Sequence, residues 1–231
     1  MLRTVTAHIS PELFQFLREL RENKNRDWFL ANKKRYKYHI RQPLLSFIVD
    51  FGVHLSKISQ HYLADPRPMG GSLFRIYRDV RFSKDKSPYK TYVGIHFRHE
   101  RAKGVHAPGF YLHLEPGSVF GGVGIWHPDA NTLTKIRDAI VDDPSGWKQA
   151  VSNEEFSSIY KLDGDSLKRA PRGYDPEHPL IEDLKRKDFI ASVAFSEEDA
   201  CSPNFINQFG KVCSKATPFM RFLTNAIGLP W

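Results

Sequence analysis

Two segments within residues 91–126 constrain the fold most, because each alternates apolar and polar side chains with a period of two. Residues 91–98 and 109–115 each place apolar side chains on one side and polar or aromatic ones on the other. Such alternation is typical of strands that cover a core with one face. The turn Glu115-Pro116-Gly117-Ser118 leads into a third predicted strand, 118–126, and so short a connection joins antiparallel neighbours. The pattern therefore predicts an antiparallel β-meander.

The face of this predicted sheet that turns away from the core has an unusual composition. Tyr92 and His96 fall on it in the first strand, and Tyr111 and His113 in the second. Imidazole titrates near neutral pH, so His113, which shares its face with Tyr111 and Glu115, is a candidate for general acid–base catalysis. A structural histidine held by hydrogen bonds is the alternative that the sequence leaves open.

Helical patterns precede and follow these strands. Ser10-Pro11-Glu12 is typical of a helix N-terminus, and apolar residues then recur every three or four positions. Further helices are predicted over 26–41, after Pro43, and over 131–141, 144–151, 154–160, 180–187 and 204–227, the last kinked or split at Pro218. Further strands are predicted over 73–77 and 189–195. The 231 residues are 41% hydrophobic and show no linker. We therefore predict one α+β domain over 1–231, with the antiparallel β-meander sheet packed against N-terminal and C-terminal helices.

Positive charge is concentrated in one part of the chain. The sequence has 34 Lys+Arg against 26 Asp+Glu, a net charge of +8, and residues 67–103 alone hold ten basic and three acidic side chains. Within them lies the segment 70–91, GGSLFRIYRDVRFSKDKSPYKT, here called the basic segment. Its cations are Arg75, Arg78, Arg81, Lys84, Lys86 and Lys90, against the two acids Asp79 and Asp85.

This excess of cations predicts an anion site. Like charges at this density repel unless acids or a bound anion offset them, and two aspartates are too few for six cations. Arginine forks bind phosphate or carboxylate, and lysine adds a point charge. The predicted ligand-binding residues are Arg75, Arg78, Arg81, Lys84, Lys86, Tyr89 and Lys90, joined by Arg169 and Arg172 from the proline-rich loop 168–179. The candidate catalytic residues are Asp79, His113 and His178.

Three functional hypotheses follow from the basic segment. The first is a pocket that binds an anionic small molecule, and whether the protein is also an enzyme stays open. The second is a nucleic-acid-binding protein that uses the same cations, with Tyr77, Phe82 and Tyr89 as exposed stacking platforms. The third is a structural or protein-interaction module, in which Arg78 and Arg81 form internal ion pairs with the two aspartates.

Several other classes of site and location are not expected. His96, His99, His106 and His113 follow spacings that match no zinc signature, so we expect no metal site. The glycines match neither a dinucleotide nor a phosphate-loop fingerprint, so we expect no cofactor. The N-terminus lacks an apolar leader, no stretch is long enough to span a membrane, and the two cysteines are expected to be free thiols. These features predict a cytoplasmic protein without membrane association, and they leave the oligomeric state open.

Several blocks of the chain, in order, resemble a known family. They are FLRELRENKNRDWFLANKKRY before the basic segment, the basic segment itself, and APGFYLHLEPG, LKRAPRGYDPEHPL and EDLKRKDF after it. Together they resemble a widespread family of conserved hypothetical proteins of bacteria and fungi, a domain of unknown function. The resemblance runs from about Leu13 to Phe189, within a family-like region of about 10–195 on which the helix at 204–227 is expected to pack. It implies that these blocks form one site, and it implies no particular activity.

Overall fold

The centre of the protein is an antiparallel sheet of five strands. The computed structural model describes residues 7–101 and 107–231. The strands within them are β1 (Val93–Arg98), β2 (Gly109–Glu115), β3 (Ser118–Ile125), β4 (Lys161–Asp163) and β5 (Phe189–Phe195). Their order in the sheet is β1-β2-β3-β5-β4. The first three strands are the predicted meander, and the chain later returns to add β5 beside β3, with β4 at the far edge.

Helices precede, interrupt and follow the strands. Helices α1 (Pro11–Glu22), α2 (Arg26–Ala31), α3 (Lys33–Tyr36) and α4 (Gln42–Ile58) come first, with a π-helical turn (Lys37–Arg41) before α4. Between β3 and β5 lie α5 (Ala130–Asp142), α6 (Pro144–Ser152), α7 (Glu154–Ser157) and α8 (Ile181–Leu184). The chain closes with α9 (Glu197–Cys201), α10 (Phe205–Lys215) and α11 (Thr217–Ala226). Over the described ranges, none of these helices combines the length and hydropathy needed to cross a bilayer.

Helices from both ends of the chain cover the same face of the sheet. The Phe51 ring of α4 lies 4.6 Å from the Phe97 ring of β1 and 5.0 Å from the Phe209 ring of α10, measured between centroids. All three side chains are fully buried and belong to one continuous hydrophobic cluster. The α+β fold class is therefore confirmed, with the sheet packed against N-terminal and C-terminal helices.

Proline positions affect two of the predicted helical segments. The helix predicted over 26–41 runs through α2, α3 and the π-helical turn directly into α4, so Pro43 does not begin a separate helix. Proline lacks an N–H, and Pro43 directly follows the π-helical turn, where the Gln42 N–H bonds to the Lys37 carbonyl oxygen five residues back, so the α-helical hydrogen-bond pattern is already interrupted at this point. At the other end, Pro218 lies in the first turn of α11, and the helix predicted over 204–227 is split there into α10 and α11, which is one of the two outcomes predicted for Pro218.

The strand predicted over 73–77 is wrong. Leu73 and Tyr77 form only isolated bridges, to Ile95 and Tyr89 respectively. The Phe74 N–H donates to the Gly94 carbonyl oxygen at 2.9 Å, so the chain runs beside β1 for a few residues and then turns away. The helix predicted over 180–187 is the single turn α8, and the short strand β4 was not predicted, because three residues are too few to show an alternation.

Candidate functional site

A pocket of about 870 Å³ lies on the face of the sheet opposite the core. Its walls include the aromatic side chains of Phe74, Tyr92, Tyr111, Phe120 and Trp126. A few polar side chains join them, among which are His96, His113, Glu115, Asp163 and Ser192. A cavity of this size, largely aromatic with few polar groups, is typical of small-molecule sites. We call it the open-face pocket.

Small residues form the floor of the open-face pocket. Gly122 of β3 lies between Tyr111 of β2 and Ser192 of β5, and Ala194 lies beside Phe120. A Cβ added at Gly122 would make only ordinary contacts, the nearest at 3.7 Å from Tyr111. The hollow therefore exists because this row of the sheet has almost no side chains between its aromatic flanks.

His113 is held in the open-face pocket between two aromatic rings. Its ring stacks on Tyr92 at 4.7 Å and on Phe120 at 4.6 Å between centroids, with interplanar angles of 29° and 15°. The residue is only 9% exposed. The imidazole plane is thus fixed from both sides, which leaves its two ring nitrogens at the edges to make polar contacts.

Those two nitrogens complete a chain of hydrogen bonds along β2. Tyr111, His113 and Glu115 occupy alternate positions of the strand and so project from one face. The Tyr111 hydroxyl lies 3.0 Å from His113 Nδ1, and His113 Nε2 lies 3.3 Å from Glu115 Oε2. On the far side, Arg21 of α1 donates to Glu115 Oε1 at 3.0 Å. A neutral phenol, an imidazole and a carboxylate are therefore linked in sequence, with a guanidinium behind the carboxylate.

Burial perturbs the titration of this cluster. It lowers the pKa of His113, and the hydrogen bond to Glu115 opposes that shift. It raises the pKa of the Tyr111 phenol well above its usual value. Burial also lowers the pKa of His96 to about 4, and the nearby Arg98 charge acts in the same direction. Both histidines are consequently neutral near pH 7 and able to accept a proton or a hydrogen bond.

Lys90 is the member of the basic segment that meets the wall of the open-face pocket. Its ammonium lies 5.3 Å from the centroid of the Phe74 ring and 5.7 Å from that of Tyr92. Burial lowers the pKa of Lys90, and the charge of Arg75 adds to the effect. Among the described residues no carboxylate pairs with this ammonium. Lys90 is thus a half-buried cation whose neighbours are aromatic faces and another cation.

Two arginines of the basic segment are bound to its own aspartates. Arg78 donates to the Asp85 carboxylate and to the hydroxyls of Ser83 and Ser87, the latter at 2.7 Å. Arg81 binds Asp79 on the exposed surface, with Nη2 2.6 Å from Oδ2. Both ion pairs join residues of the basic segment to each other, as the structural alternative predicts, and both are partly exposed to solvent.

The pairing also limits what Asp79 can do as a candidate catalytic residue. Hydrogen bonds from Arg81 lower the pKa of Asp79 to about 2, so its carboxylate is a poor proton acceptor near neutral pH. Lys86 donates to the Val80 carbonyl oxygen at 2.9 Å, and Arg75 and Lys84 are exposed. None of the cations of the basic segment lines the open-face pocket itself, and Lys90 meets it only through two residues of its wall, Phe74 and Tyr92.

Tyr89 corrects the expectation of three exposed stacking rings. It is buried and stacks on Phe29 of α2 at 4.2 Å between centroids, with an interplanar angle of 21°. Tyr77 is half-exposed, and Phe82 at the tip of the segment is 97% exposed. Tyr89 therefore anchors the basic segment to the helices rather than presenting a ring to a ligand, because it enters the apolar cluster.

The proline-rich loop 168–179 lies at the other edge of the sheet. Just before it, Ser166 forms a bridge with Arg186, and within it the Tyr174 hydroxyl donates to Asp138 of α5 at 2.8 Å. The basic segment runs beside β1, and this loop follows β4. Those two strands lie at opposite edges of the sheet, four strand spacings or roughly 19 Å apart. The structure therefore does not bring the loop and the basic segment together into one site.

The three candidate residues of that loop accordingly have local roles or face solvent. His178 Nδ1 accepts a hydrogen bond from the Leu180 N–H at 3.1 Å, within the turn that leads into α8. Arg169 and Arg172 are exposed. None of the three lines the open-face pocket.

Sequence reasoning found the titratable members of the open-face pocket and missed the residues that shape it. Phe74, Phe120 and Trp126 carry no titratable group, and the glycines enter the sequence argument only because they match no nucleotide-binding fingerprint. A signal was present in Gly122, which falls on the same face as His113 in a predicted neighbouring strand. It could not be used without the position of β5, which supplies Ser192 and Ala194 to the same floor.

Histidines elsewhere in the described ranges do not form a metal site. No three His, Cys, Asp or Glu side chains in residues 7–101 and 107–231 come together in a way that could hold a metal ion. His99 is fully buried, with Nε2 2.9 Å from the Pro230 carbonyl oxygen and Nδ1 accepting from the Arg101 N–H. His106, which entered the sequence argument, lies outside the described residues.

The comparisons with known proteins concern the whole of this architecture. No match was found among curated proteins or among solved structures. A family model described as a conserved hypothetical protein, DUF2461, matches residues 12–222. The match contains all five strands and the basic segment, and it continues past the predicted end near residue 195 into α11. The closing helices are thus part of the family region, and the chain belongs to the conserved hypothetical protein family DUF2461.

Proposed function

We propose that the chain binds a small organic anion in the open-face pocket, with Lys90 beside the negative group. The observation that carries this proposal is the half-buried Lys90 ammonium, which lies over two rings of the pocket wall and has no carboxylate partner among the described residues. Removing an ammonium from water is unfavourable unless an opposite charge compensates it, and aromatic faces compensate only in part. An anionic group at the pocket rim would supply the missing charge.

The shape of the open-face pocket supports an organic body behind that charge. Aromatic walls and a floor of Gly122, Ser192 and Ala194 can cover the apolar part of a small molecule and remove it from water. His113 in the same pocket supports a reaction on the bound molecule, because its imidazole is neutral and fixed in orientation.

The two alternatives have less support. For nucleic acid, Arg78 and Arg81 are bound to local aspartates, and the predicted stacking ring of Tyr89 is buried. The two ion pairs agree with a purely structural role for the basic segment. The Lys90 ammonium does not, because no carboxylate among the described residues pairs with it. A nucleic-acid interface would also show an affinity that falls steeply with salt concentration.

The test is a binding comparison between anions and neutral molecules of the same shape. Benzoate and phenyl phosphate would be compared with benzamide by calorimetry and by thermal shift, on the wild type and on Lys90→Met, which keeps a similar side-chain length. A charge-assisted contact contributes about 1.5–3 kcal/mol, so we expect Lys90→Met to weaken anion binding about 10- to 100-fold and to change benzamide binding little.

The control is Lys37→Met, which removes the same charge from another lysine that lies over a tyrosine ring, here Tyr38 on the surface. It should leave the anion affinity unchanged. If the control weakens binding as much as Lys90→Met, the effect is one of net charge and the proposed position of the anion is wrong. If no anion in the series stabilises the wild type, the proposal itself is contradicted.

A further inference from the structure

We propose that Tyr111 and His113 remove a proton from a weakly acidic hydroxyl compound, a phenol or an enol, bound in the open-face pocket, and that the Glu115 carboxylate stabilises the imidazolium that results. This inference rests on the proposed function, because the conjugate base of such a compound is the small organic anion that Lys90 would stabilise. It adds the substrate class and the path of the proton.

The hydrogen-bond directions follow from the order of the three groups. The Glu115 carboxylate binds the Arg21 guanidinium and acts as an acceptor, so His113 Nε2 carries the hydrogen that faces it. In a neutral imidazole the other nitrogen, Nδ1, is then the acceptor, and the Tyr111 hydroxyl donates to it. The phenolic oxygen of Tyr111 keeps its own lone pairs, and Tyr111 lines the pocket. A hydroxyl group is the partner that such an acceptor recognises.

The absence of a side chain at position 94 makes room for this arrangement. Gly94 of β1 lies directly opposite His113 of β2. A Cβ at Gly94 would lie 2.6 Å from the Tyr111 hydroxyl oxygen, closer than a non-bonded contact permits. The phenol can therefore lie across β1 and meet His113 Nδ1 only because residue 94 is glycine.

The transfer balances without any further reactant. The bound compound gives its hydroxyl proton to the Tyr111 oxygen, and Tyr111 gives its own proton to His113 Nδ1. The compound becomes an anion, Tyr111 remains a neutral phenol, and His113 becomes an imidazolium. No electron is transferred and no bond other than O–H and N–H bonds is broken or formed.

Charged groups on each side of the chain favour that product. The imidazolium would face the Glu115 carboxylate, whose position Arg21 and the Thr91 hydroxyl help to hold. The positive charge of the Lys90 ammonium would stabilise the new anion. This ammonium lies over the Tyr92 ring, and the same ring stacks on His113. Burial lowers the pKa of His113, which keeps the acceptor neutral before the transfer but opposes the imidazolium, and the Glu115 carboxylate acts against that opposition.

The first experiment needs no ligand and examines the hydrogen bonds directly. Nitrogen-15 NMR of the full chain would assign the His113 tautomer in the wild type, in Tyr111→Phe and in Glu115→Gln. We expect the hydrogen on Nε2, a change of the Nδ1 shift in Tyr111→Phe, and a lower His113 pKa in Glu115→Gln, since the carboxylate stabilises the imidazolium. A wild-type tautomer with the hydrogen on Nδ1 would overturn the relay.

The second experiment uses 4-nitrophenol, whose phenol and phenolate forms absorb at different wavelengths, and 4-nitroanisole, which has no hydroxyl. We expect wild-type protein to hold bound 4-nitrophenol as the phenolate at pH values where the free probe is still largely protonated. In Tyr111→Phe the ratio of bound phenolate to phenol should fall at least about tenfold, one pKa unit. Tyr92→Phe, which removes a pocket hydroxyl that is not bonded to His113, should change this ratio less.

The two proposals fail in different ways. If neither 4-nitrophenol, 4-nitroanisole nor the anions benzoate and phenyl phosphate bind, the open-face pocket is not a small-molecule site and both proposals are wrong. If only benzoate or phenyl phosphate binds, the proposed function is supported and the inferred substrate class is wrong. If both nitro compounds bind, and Tyr111→Phe ionises 4-nitrophenol as fully as the wild type does, the open-face pocket is a small-molecule site and the proposed proton relay is wrong. Circular dichroism and the 4-nitroanisole affinity of Tyr111→Phe show whether the variant is folded with its pocket intact.

Discussion

Two adjacent glycines of β3 allow the two faces of the sheet to be perturbed separately. Gly121 faces the core, where an added Cβ would lie 3.1 Å from Phe209 Cε2 and 3.4 Å from Val193 Cγ1. Gly122 faces the open-face pocket, where the nearest atoms to an added Cβ lie 3.7 Å away, on Tyr111. The same substitution, glycine to alanine, therefore adds a methyl group to a filled space at one position and to an empty one at the next.

The expected free energies of unfolding follow from this geometry. Replacing a strand glycine by alanine stabilises by about 0.5–1 kcal/mol, because the unfolded chain loses conformational freedom. This gain is common to both variants. At Gly121 the added methyl overpacks the core beside Phe209, at a cost of about 1–3 kcal/mol. Gly122→Ala should therefore be equal to or more stable than the wild type, and Gly121→Ala should be about 1–3 kcal/mol less stable than Gly122→Ala.

Urea denaturation with circular dichroism measures this difference, provided that the three proteins show equal m-values. The two variants should also separate in ligand binding, because only Gly122→Ala reduces the volume of the open-face pocket. Gly122→Ala as unstable as Gly121→Ala would mean that residue 122 packs against other groups, and that the floor of the pocket is not open. Equal stability of all three proteins would refute the tight contact at Gly121.

Three further predictions concern the core, pH and cooperativity. Phe209→Ala removes a fully buried ring that contacts α4 and β1 and should lower the free energy of unfolding by about 3–5 kcal/mol, measured by denaturant titration. The pKa of His96 is about 4 in the folded protein, against 6.5 for an ordinary histidine, so on acidification the unfolded chain binds this proton before the folded protein does. The free energy of unfolding should therefore fall by up to about 3 kcal/mol as the pH drops from about 6.5 to about 4. Unfolding of His96→Asn over the same pH range should lack most of that loss. If 1–231 is one domain, calorimetry should show a single transition whose calorimetric and van't Hoff enthalpies agree, and two separate transitions would refute the single domain.

Secondary structure was predictable where residues close together in the sequence determine it. The alternation in 91–98 and 109–115 gave β1 and β2, and the Pro116-Gly117 turn gave their continuation into β3. Ser10 and Pro11 marked the start of α1, as Pro144 did for α6. The alternation also placed Tyr92, His96, Tyr111 and His113 on one face. Each of these predictions depends on a period or a dihedral preference that a few consecutive residues express.

Charge was predictable as a sum and not as an arrangement. The count of six cations against two acids in the basic segment was correct, yet Arg78 and Arg81 each bind one of those acids. Whether an arginine of this segment binds an acid two or seven residues away depends on how the loop turns. Near the end of the same segment, Tyr89 is buried against Phe29, a contact that the charge count does not predict either.

The sequence by itself determined an antiparallel meander with one aromatic, titratable face, because strand alternation is a local property. Only the tertiary structure decided that this face is a pocket. The hollow needs β5 beside β3, so that Ser192 and Ala194 extend the row begun by Gly122, and it needs Phe74 brought to the edge of β1. Those contacts join residues far apart in the chain. Their positions follow from how the whole core packs, which no local pattern of residues specifies.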